Sequence, residues 1–215
     1  MKISCRAVGE YQANCYVLQE EESGRALVID PGAEAEALIG WIRTLEAQPE
    51  AILITHGHFD HLGAAYALSR QYQAPIYMHP DEVLYMQDRS HPLMRMTEGM
   101  LDELLAALPQ NGRYVCDGDV LRVAGEPLQI LEVPGHSDHS LCVYSAKEAA
   151  LFCGDTLFAG SIGRTDLYHG SDQDLARNIV KKFGPLPEET VVYTGHGPST
   201  TLQQEWRTNP FIRRR

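Results

Sequence analysis

Short apolar runs and amphipathic stretches alternate along the chain. Residues 3–8, 15–18 and 26–29 are rich in β-branched and other apolar side chains and read as strands. Asp30-Pro31-Gly32 then supplies a turn signal. Between residues 34 and 45, Leu38, Trp41, Ile42 and Leu45 recur at helical spacing. A strand is predicted at 51–54, a helix at 62–72 and a short strand at 76–78. Helices at 81–87 and 100–108 flank a methionine-rich segment. Its Met86, Met94, Met96 and Met100 read as core filler in preference to a lid. Further strands centre on Val120, Ile130, Val143, Phe152 and Val192, with a helix at 172–183. Periodicity alone yields a mixed α and β chain without linker, repeat or low-complexity tract.

The polar residues that close the apolar runs carry the chemistry. The run 51–54 is followed by Thr55-His56-Gly57-His58-Phe59-Asp60-His61. Neutral imidazoles and carboxylates are the ligands that borderline divalent metals prefer. The same placement recurs three times. Residues 128–133 lead into Pro134-Gly135-His136, residues 150–153 into Gly154-Asp155, and residues 191–194 into Gly195-His196. Strands of packed sheets can deliver such ends to one rim, and a solvated surface histidine has no reason to repeat the pattern.

The candidate ligands are therefore His56, His58, Asp60, His61, His136, Asp155 and His196. One tetrahedral catalytic ion needs about three protein ligands plus water, so this pool suits two ions. Side chains alternate faces along an extended stretch. His56 and His58 can thus point to one ion, while Asp60 and His61, beyond Phe59, turn to the other. Asp155 is the natural bridge, because a carboxylate has two oxygens to share.

The His-x-His-x-Asp-His cluster, with His136, Asp155 and His196 in that order, resembles the metallo-β-lactamase-fold superfamily. Gly154-Asp155-Thr156-Leu157-Phe158, Gly163-Arg164-Thr165-Asp166-Leu167, Gly195-His196-Gly197-Pro198 and Asn209-Pro210-Phe211 resemble its glyoxalase II-like branch, the hydroxyacylglutathione hydrolases. The resemblance runs from about Asn14 to Phe211. It implies an α+β fold, a four-layer αβ/βα sandwich with two mixed sheets inside and helices outside, as one domain over residues 1–215. It also implies that His56, His58 and His136 hold the first ion, that Asp60, His61 and His196 hold the second, and that Asp155 bridges. Arg164 occupies a place comparable to a basic residue that helps to bind glutathione in the family; an ion pair with Asp166 is the alternative. The chain departs from the family pattern at Ser137-Asp138-His139-Ser140 and at Leu167-Tyr168-His169-Gly170. Asp138 is expected to be exposed in preference to sitting beside the metals, as is His139, and His169 is expected at the surface.

Composition narrows the setting. The 215 residues suffice for one sizeable core. A formal charge of −11 argues against a nucleic-acid partner. No apolar run approaches the roughly 20 residues that cross a bilayer, and Met1-Lys2-Ile3-Ser4 does not open a signal peptide. The five cysteines, Cys5, Cys15, Cys116, Cys142 and Cys153, show no Cys-x-x-Cys spacing and fit reduced thiols in a cytoplasm. Cys153, two residues before Asp155, reads as a small buried strand residue.

The expected cofactors are two divalent ions, zinc first, with iron or manganese compatible. The expected chemistry is metal-dependent hydrolysis, in which a hydroxide held between the metals attacks a carbonyl, with Asp60 and Asp155 as the catalytic carboxylates. A thiol has a pKa of roughly 8.5, so a thiolate leaves with little help from an acid. That points to a small-molecule thioester substrate such as S-lactoylglutathione. Two readings compete. A mononuclear iron persulfide dioxygenase of the same superfamily would use His56, His136 and Asp155. A non-enzymatic metal-binding module would hold the ions without turnover.

Overall fold

Two six-stranded mixed sheets organise the chain, and the computed structural model describes residues 1–88, 99–167 and 170–212. The chain divides into two units. The first comprises Met1–Val115 and Arg122–Pro127, the second Cys116–Leu121 and Leu128–Arg215.

In the first unit the sheet runs in sequence order: β1 (Lys2–Val8), β2 (Ala13–Gln19), β3 (Arg25–Ile29), β4 (Gln48–Leu53), β5 (Ile76–Met78) and β6 (Gly112–Tyr114). The β1–β2 and β2–β3 pairs are antiparallel, and β3 through β6 are parallel. Every residue of β2 is buried, as a strand covered on both faces requires. The helices among the described residues of this unit are α1 (Ala35–Thr44), α2 (Phe59–Leu62), α3 (Ala65–Tyr72), α4 (Pro80–Gln87) and α5 (Met100–Asn111). Leu38 and Ile42 of α1, Leu68 of α3, and Leu104 and Leu108 of α5 share a core with Val17, Val28, Ile52 and Ile76. The i, i+4 spacing of the helical members puts them on one face.

The helix predicted over 62–72 is broken in two. Ala64 donates its N–H to the Pro31 carbonyl at 2.9 Å instead of continuing a helical ladder. Strand β4 starts three residues earlier than its apolar run predicts, because the register slips at Ala26/Leu27 and lets Gln48 and Pro49 pair with β3. Helix α5 extends to Asn111 and carries Pro109 in its last turn.

The second sheet contains β7 (Val120–Val123), β8 (Glu126–Glu132), β9 (Leu141–Ser145) and β10 (Ala150–Phe152). A separate hairpin follows, β11 (Leu157–Phe158) and β12 (Ser161–Ile162). Strands β13 (Val191–Tyr193) and β14 (Thr200–Thr201) complete the sheet, whose order is β14-β13-β10-β9-β8-β7. Strand β9 is antiparallel to β8 and to β10, and β10 is parallel to β13. Strands β8, β10 and β13 therefore share a direction, and their C-terminal ends share one edge. Helix α6 (Asp172–Phe183) is capped by the Ser171 hydroxyl, which accepts the Asp174 N–H, and it buries Leu175, Ile179 and Phe183. Helix α7 (Leu202–Thr208) is capped by Thr201. Its buried Glu205 accepts from the Gly160 N–H at 2.9 Å, the Thr200 hydroxyl at 2.6 Å and the Asn209 amide at 2.7 Å.

No helix among the described residues is long and apolar enough to cross a membrane. None of the five cysteines is in a disulfide; Cys5 and Cys116 are exposed and the other three buried. Met86 is fully buried in the first core, as core filler should be. Met94, Met96, His169 and the 213–215 tail lie outside the described residues.

Candidate metal centre

In the first unit the site is built where two parallel strands end. Strand β3 stops at Ile29 and β4 at Leu53, and the Asp30 N–H donates to the Leu53 carbonyl at 3.0 Å. Asp30 is held at φ +50, and a side chain at Gly32 would overlap the Asp60 backbone. The turn and the histidine loop thus fit only without a Cβ there.

Asp30 anchors the histidine loop. Its carboxylate accepts the Thr55 N–H at 2.8 Å and the Thr55 hydroxyl at 2.7 Å. The same oxygen that takes the hydroxyl faces Nδ1 of His61 at 3.0 Å. Because the Thr55 hydroxyl donates to Asp30, it is left to accept from Nδ1 of His56, 2.9 Å away. A carboxylate and an occupied hydroxyl are acceptors here, so Nδ1 of both rings carries the proton. Nε2 is left with its lone pair, the state a metal ligand requires. Glu82 accepts the Gly57 N–H at 2.6 Å and fixes the loop between the first two histidines. The His56 ring lies 4.6 Å from that of His58 and 4.4 Å from that of His61, centroid to centroid. All three rings are buried, and Asp60 is half-buried with Oδ2 3.7 Å from Nε2 of His61.

In the second unit the strand ends that share an edge deliver the rest. Asp155 stands three residues beyond β10 and His196 three beyond β13, and the Gly195 N–H donates to the Gly154 carbonyl at 2.7 Å. A Cβ at Gly195 would overlap Oδ1 of Asp155. His136 follows β8, in a turn held by the Asn178 amide on the Pro134 carbonyl at 2.9 Å. Nδ1 of His136 meets the Arg164 carbonyl at 2.8 Å. A carbonyl only accepts, so this ring too presents Nε2 unprotonated. Nε2 of His136 lies 3.7 Å, and Nε2 of His196 3.6 Å, from the same Oδ2 of Asp155.

These distances test the fit of a metal. They exceed the usual hydrogen-bond range, so the carboxylate oxygen faces each nitrogen at more than hydrogen-bond distance. Two ligands of one tetrahedral ion with bonds of about 2.1 Å stand about 3.4 Å apart, close to what is seen. The donor set is nitrogen and carboxylate oxygen with fixed tautomers, and it fits divalent metal.

Other sequence-level candidates are placed as follows. Arg164 forks onto Asp166 through Nε at 2.7 Å and Nη2 at 2.9 Å, on the surface. That ion pair is the alternative foreseen for it, and what Arg164 gives His136 is its carbonyl. Cys153 is buried, its thiol pushed well up by desolvation. Asp138 is exposed, whereas His139 is only half-exposed and meets Glu132 at 2.8 Å. Asp30 escaped the sequence reading, which took Asp30-Pro31-Gly32 as a turn. The signal was present: an acid directly after an apolar run, next to Pro and Gly, is the rule that found Asp155. Nothing in the sequence marks Glu82 or the Arg164 carbonyl.

A family model described as the metallo-beta-lactamase superfamily matches residues 8–196. The hydroxyacylglutathione hydrolase GloC of Haemophilus influenzae is 35% identical over 212 residues, 99% of this chain and 98% of that protein. The probable metallo-hydrolase YqgX of Bacillus subtilis is 36% identical over 212 residues, with the same shares covered. Among solved structures, the BLEG-1 B3 metallo-β-lactamase matches with a TM-score of 0.85 and 38% identity, covering 98% of this chain and 99% of that one. TTHA1623 in a di-iron-bound form matches at 0.78 and 34%, covering 97% and 99%. ETHE1 from Myxococcus xanthus matches at 0.78 and 27%, covering 98% and 84%. Two mixed sheets with flanking helices, donors at the strand ends and these likenesses agree: the chain belongs to the metallo-β-lactamase superfamily and has its α+β sandwich fold.

Proposed function

We propose that the donors of the two units together hold two divalent ions in one domain, and that the protein hydrolyses thioesters of the S-lactoylglutathione kind. His56, His58 and His136 are assigned to one ion, Asp60, His61 and His196 to the other, and Asp155 to both. The observation that carries the reading is that two imidazole nitrogens stand at ligand spacing from a single Asp155 oxygen. The 35% identity to GloC, along nearly the whole of both chains, supports the thioester. Zinc is the first expectation, and the di-iron form of TTHA1623 supports iron as the alternative.

When bound, such ions supply a nucleophile at neutral pH and polarise a carbonyl oxygen. The protein's own part is orientation. Asp30, Thr55 and the Arg164 carbonyl hold three imidazoles in the ligating tautomer. Asp60, half-buried in the lining of a cavity, is assigned the uptake and return of a proton. A thiolate leaves without a strong acid, and no further protonated group is needed.

The likeness to ETHE1 lends weaker support to a second reading, a mononuclear iron persulfide dioxygenase using His56, His136 and Asp155. Metal quantification on purified protein, with thiol release from S-lactoylglutathione measured with and without oxygen, separates the two. Two ions per chain and oxygen-independent release are expected. One iron with oxygen uptake selects the dioxygenase. A β-lactam assayed in parallel tests the activity named for BLEG-1, and tight metal binding without any turnover would leave a non-enzymatic module.

A further inference from the structure

A cavity of about 210 Å³ opens beside Asp60 within the first unit. Val8, Tyr11, Ala33, Phe59, Asp60 and Met100 are among the residues that line it. The turn between β1 and β2 is closed by the Gln12 N–H on the Gly9 carbonyl at 3.2 Å and by the Gln12 amide on the same oxygen at 2.7 Å. The Gly9 N–H is tied to Glu34 at 2.9 Å. The Tyr11 ring, largely exposed, stands edge-on to Phe59 with centroids 5.3 Å apart.

Size and charge identify the occupant. An apolar cavity of about 150 Å³ is enough to bind benzene, so this one seats a ring or an alkyl chain of similar bulk. Among the described residues its lining is mainly apolar and carries two carboxylates, Glu10 and Asp60. A charged group, such as the terminal carboxylates of a peptide thiol, would lose its hydration against so apolar a lining. A neutral apolar group is accepted, and Asp60 in the lining belongs to the assigned metal ligands. We propose that this cavity receives the acyl group of the thioester, and that it selects apolar acyl groups of about four to seven carbons over short hydroxyacyl groups. The assignment rests on the thioesterase reading above.

The test uses metal-loaded protein and thioesters of one thiol, N-acetylcysteamine, carrying acetyl, lactoyl, butyryl, hexanoyl or phenylacetyl groups. Full burial of a methylene is worth about fourfold. The ratio of kcat/KM for hexanoyl over acetyl is therefore expected to reach at least about tenfold, with phenylacetyl also above lactoyl. Ala33→Leu, which adds bulk to the lining, should bring the hexanoyl-to-acetyl ratio down towards one. Tyr11→Ala, at an exposed turn, should lower it by removing apolar lining. A readout independent of turnover is titration of the wild-type protein with toluene, which should shift the methyl resonances of Ala33 and Met100 with or without metal. Hydrolysis with a flat acyl profile, or toluene leaving both methyls unmoved, overturns the acyl cavity and leaves the thioesterase standing. Failure to cleave any thioester overturns the thioesterase itself, and the acyl assignment with it.

Discussion

Oδ2 of Asp30 lies 3.0 Å from Nδ1 of His61, and the same carboxylate holds both the N–H and the hydroxyl of Thr55. One buried acid therefore sets the tautomer of His61 directly and that of His56 through a hydroxyl. Asp30→Asn keeps the shape but puts an amide donor in place of an acceptor. Facing that donor, Nδ1 gives up its proton and Nε2 gains it, which removes the lone pair a metal needs. Partners of this kind are typically worth 10–100-fold in metal affinity. Competition against a chelator at fixed metal should show a loss of that size, and unchanged affinity would refute the orienting role.

Asp155 is predicted to matter more than Asp60. Its Oδ2 faces two imidazole nitrogens at 3.7 and 3.6 Å and is assigned to both ions, whereas Asp60, with Oδ2 3.7 Å from Nε2 of His61, is assigned to one. Asp155→Ala should release both ions and cut thioester turnover by about a hundredfold or more, and Asp60→Ala should release one ion. Metal content per chain, measured after gel filtration, decides this. Equal losses in the two variants would remove the case for a shared carboxylate.

Much of this site is written locally in the chain, because a strand must end and Gly or Pro must turn it. Asp155 and His196 lie three residues past β10 and β13, and that spacing is visible without coordinates. Helix α6 matches its predicted range of 172–183 because a Ser cap, three apolar residues at i, i+4 and i+8, and a following glycine agree. What escapes is set by distant neighbours. The break between α2 and α3 arises from the Pro31 carbonyl, and the tautomer of His136 from a carbonyl 28 residues away. The two-residue strands β11, β12 and β14 are too short for a period to register. Helix α7 was also missed, although Thr201 and Gln204 mark its start.

Gly195 should tolerate no side chain. Its Cβ would overlap Oδ1 of Asp155 and stand 2.8 Å from the Gly154 backbone carbon, and the Gly195 N–H to Gly154 carbonyl bond leaves no room for retreat. Overpacking of this kind costs about 1–3 kcal/mol. Gly195→Ala is expected to unfold at lower urea and to bind metal more weakly than the parent. Glycine 197, where a Cβ meets nothing within 4 Å, sits at φ +70. Gly197→Ala should therefore lose about 1 kcal/mol of stability while retaining its metal. Equal metal loss in both variants would show that loop strain, not displacement of Asp155, is responsible.

Asp117 provides a pH-dependent contribution away from the metals. Burial pushes its carboxyl up, but the hydrogen bond from Lys182, the Glu132 N–H and the charges of Lys182 and Lys181 pull harder, so its pKa lies below the ordinary carboxylate value. A depressed folded-state pKa stabilises the protein above the unfolded value of about 3.9 and ceases to do so as pH falls through the folded value. Both side chains are partly exposed, which holds the pair to about 0.5 kcal/mol. Asp117→Asn should thus be less stable than the parent by about that amount at pH 7. The gap should narrow below about pH 4 and vanish once the parent carboxyl is protonated. Urea unfolding of the two proteins across this range gives the comparison, and a gap that stayed constant with pH would assign the loss to packing instead of charge.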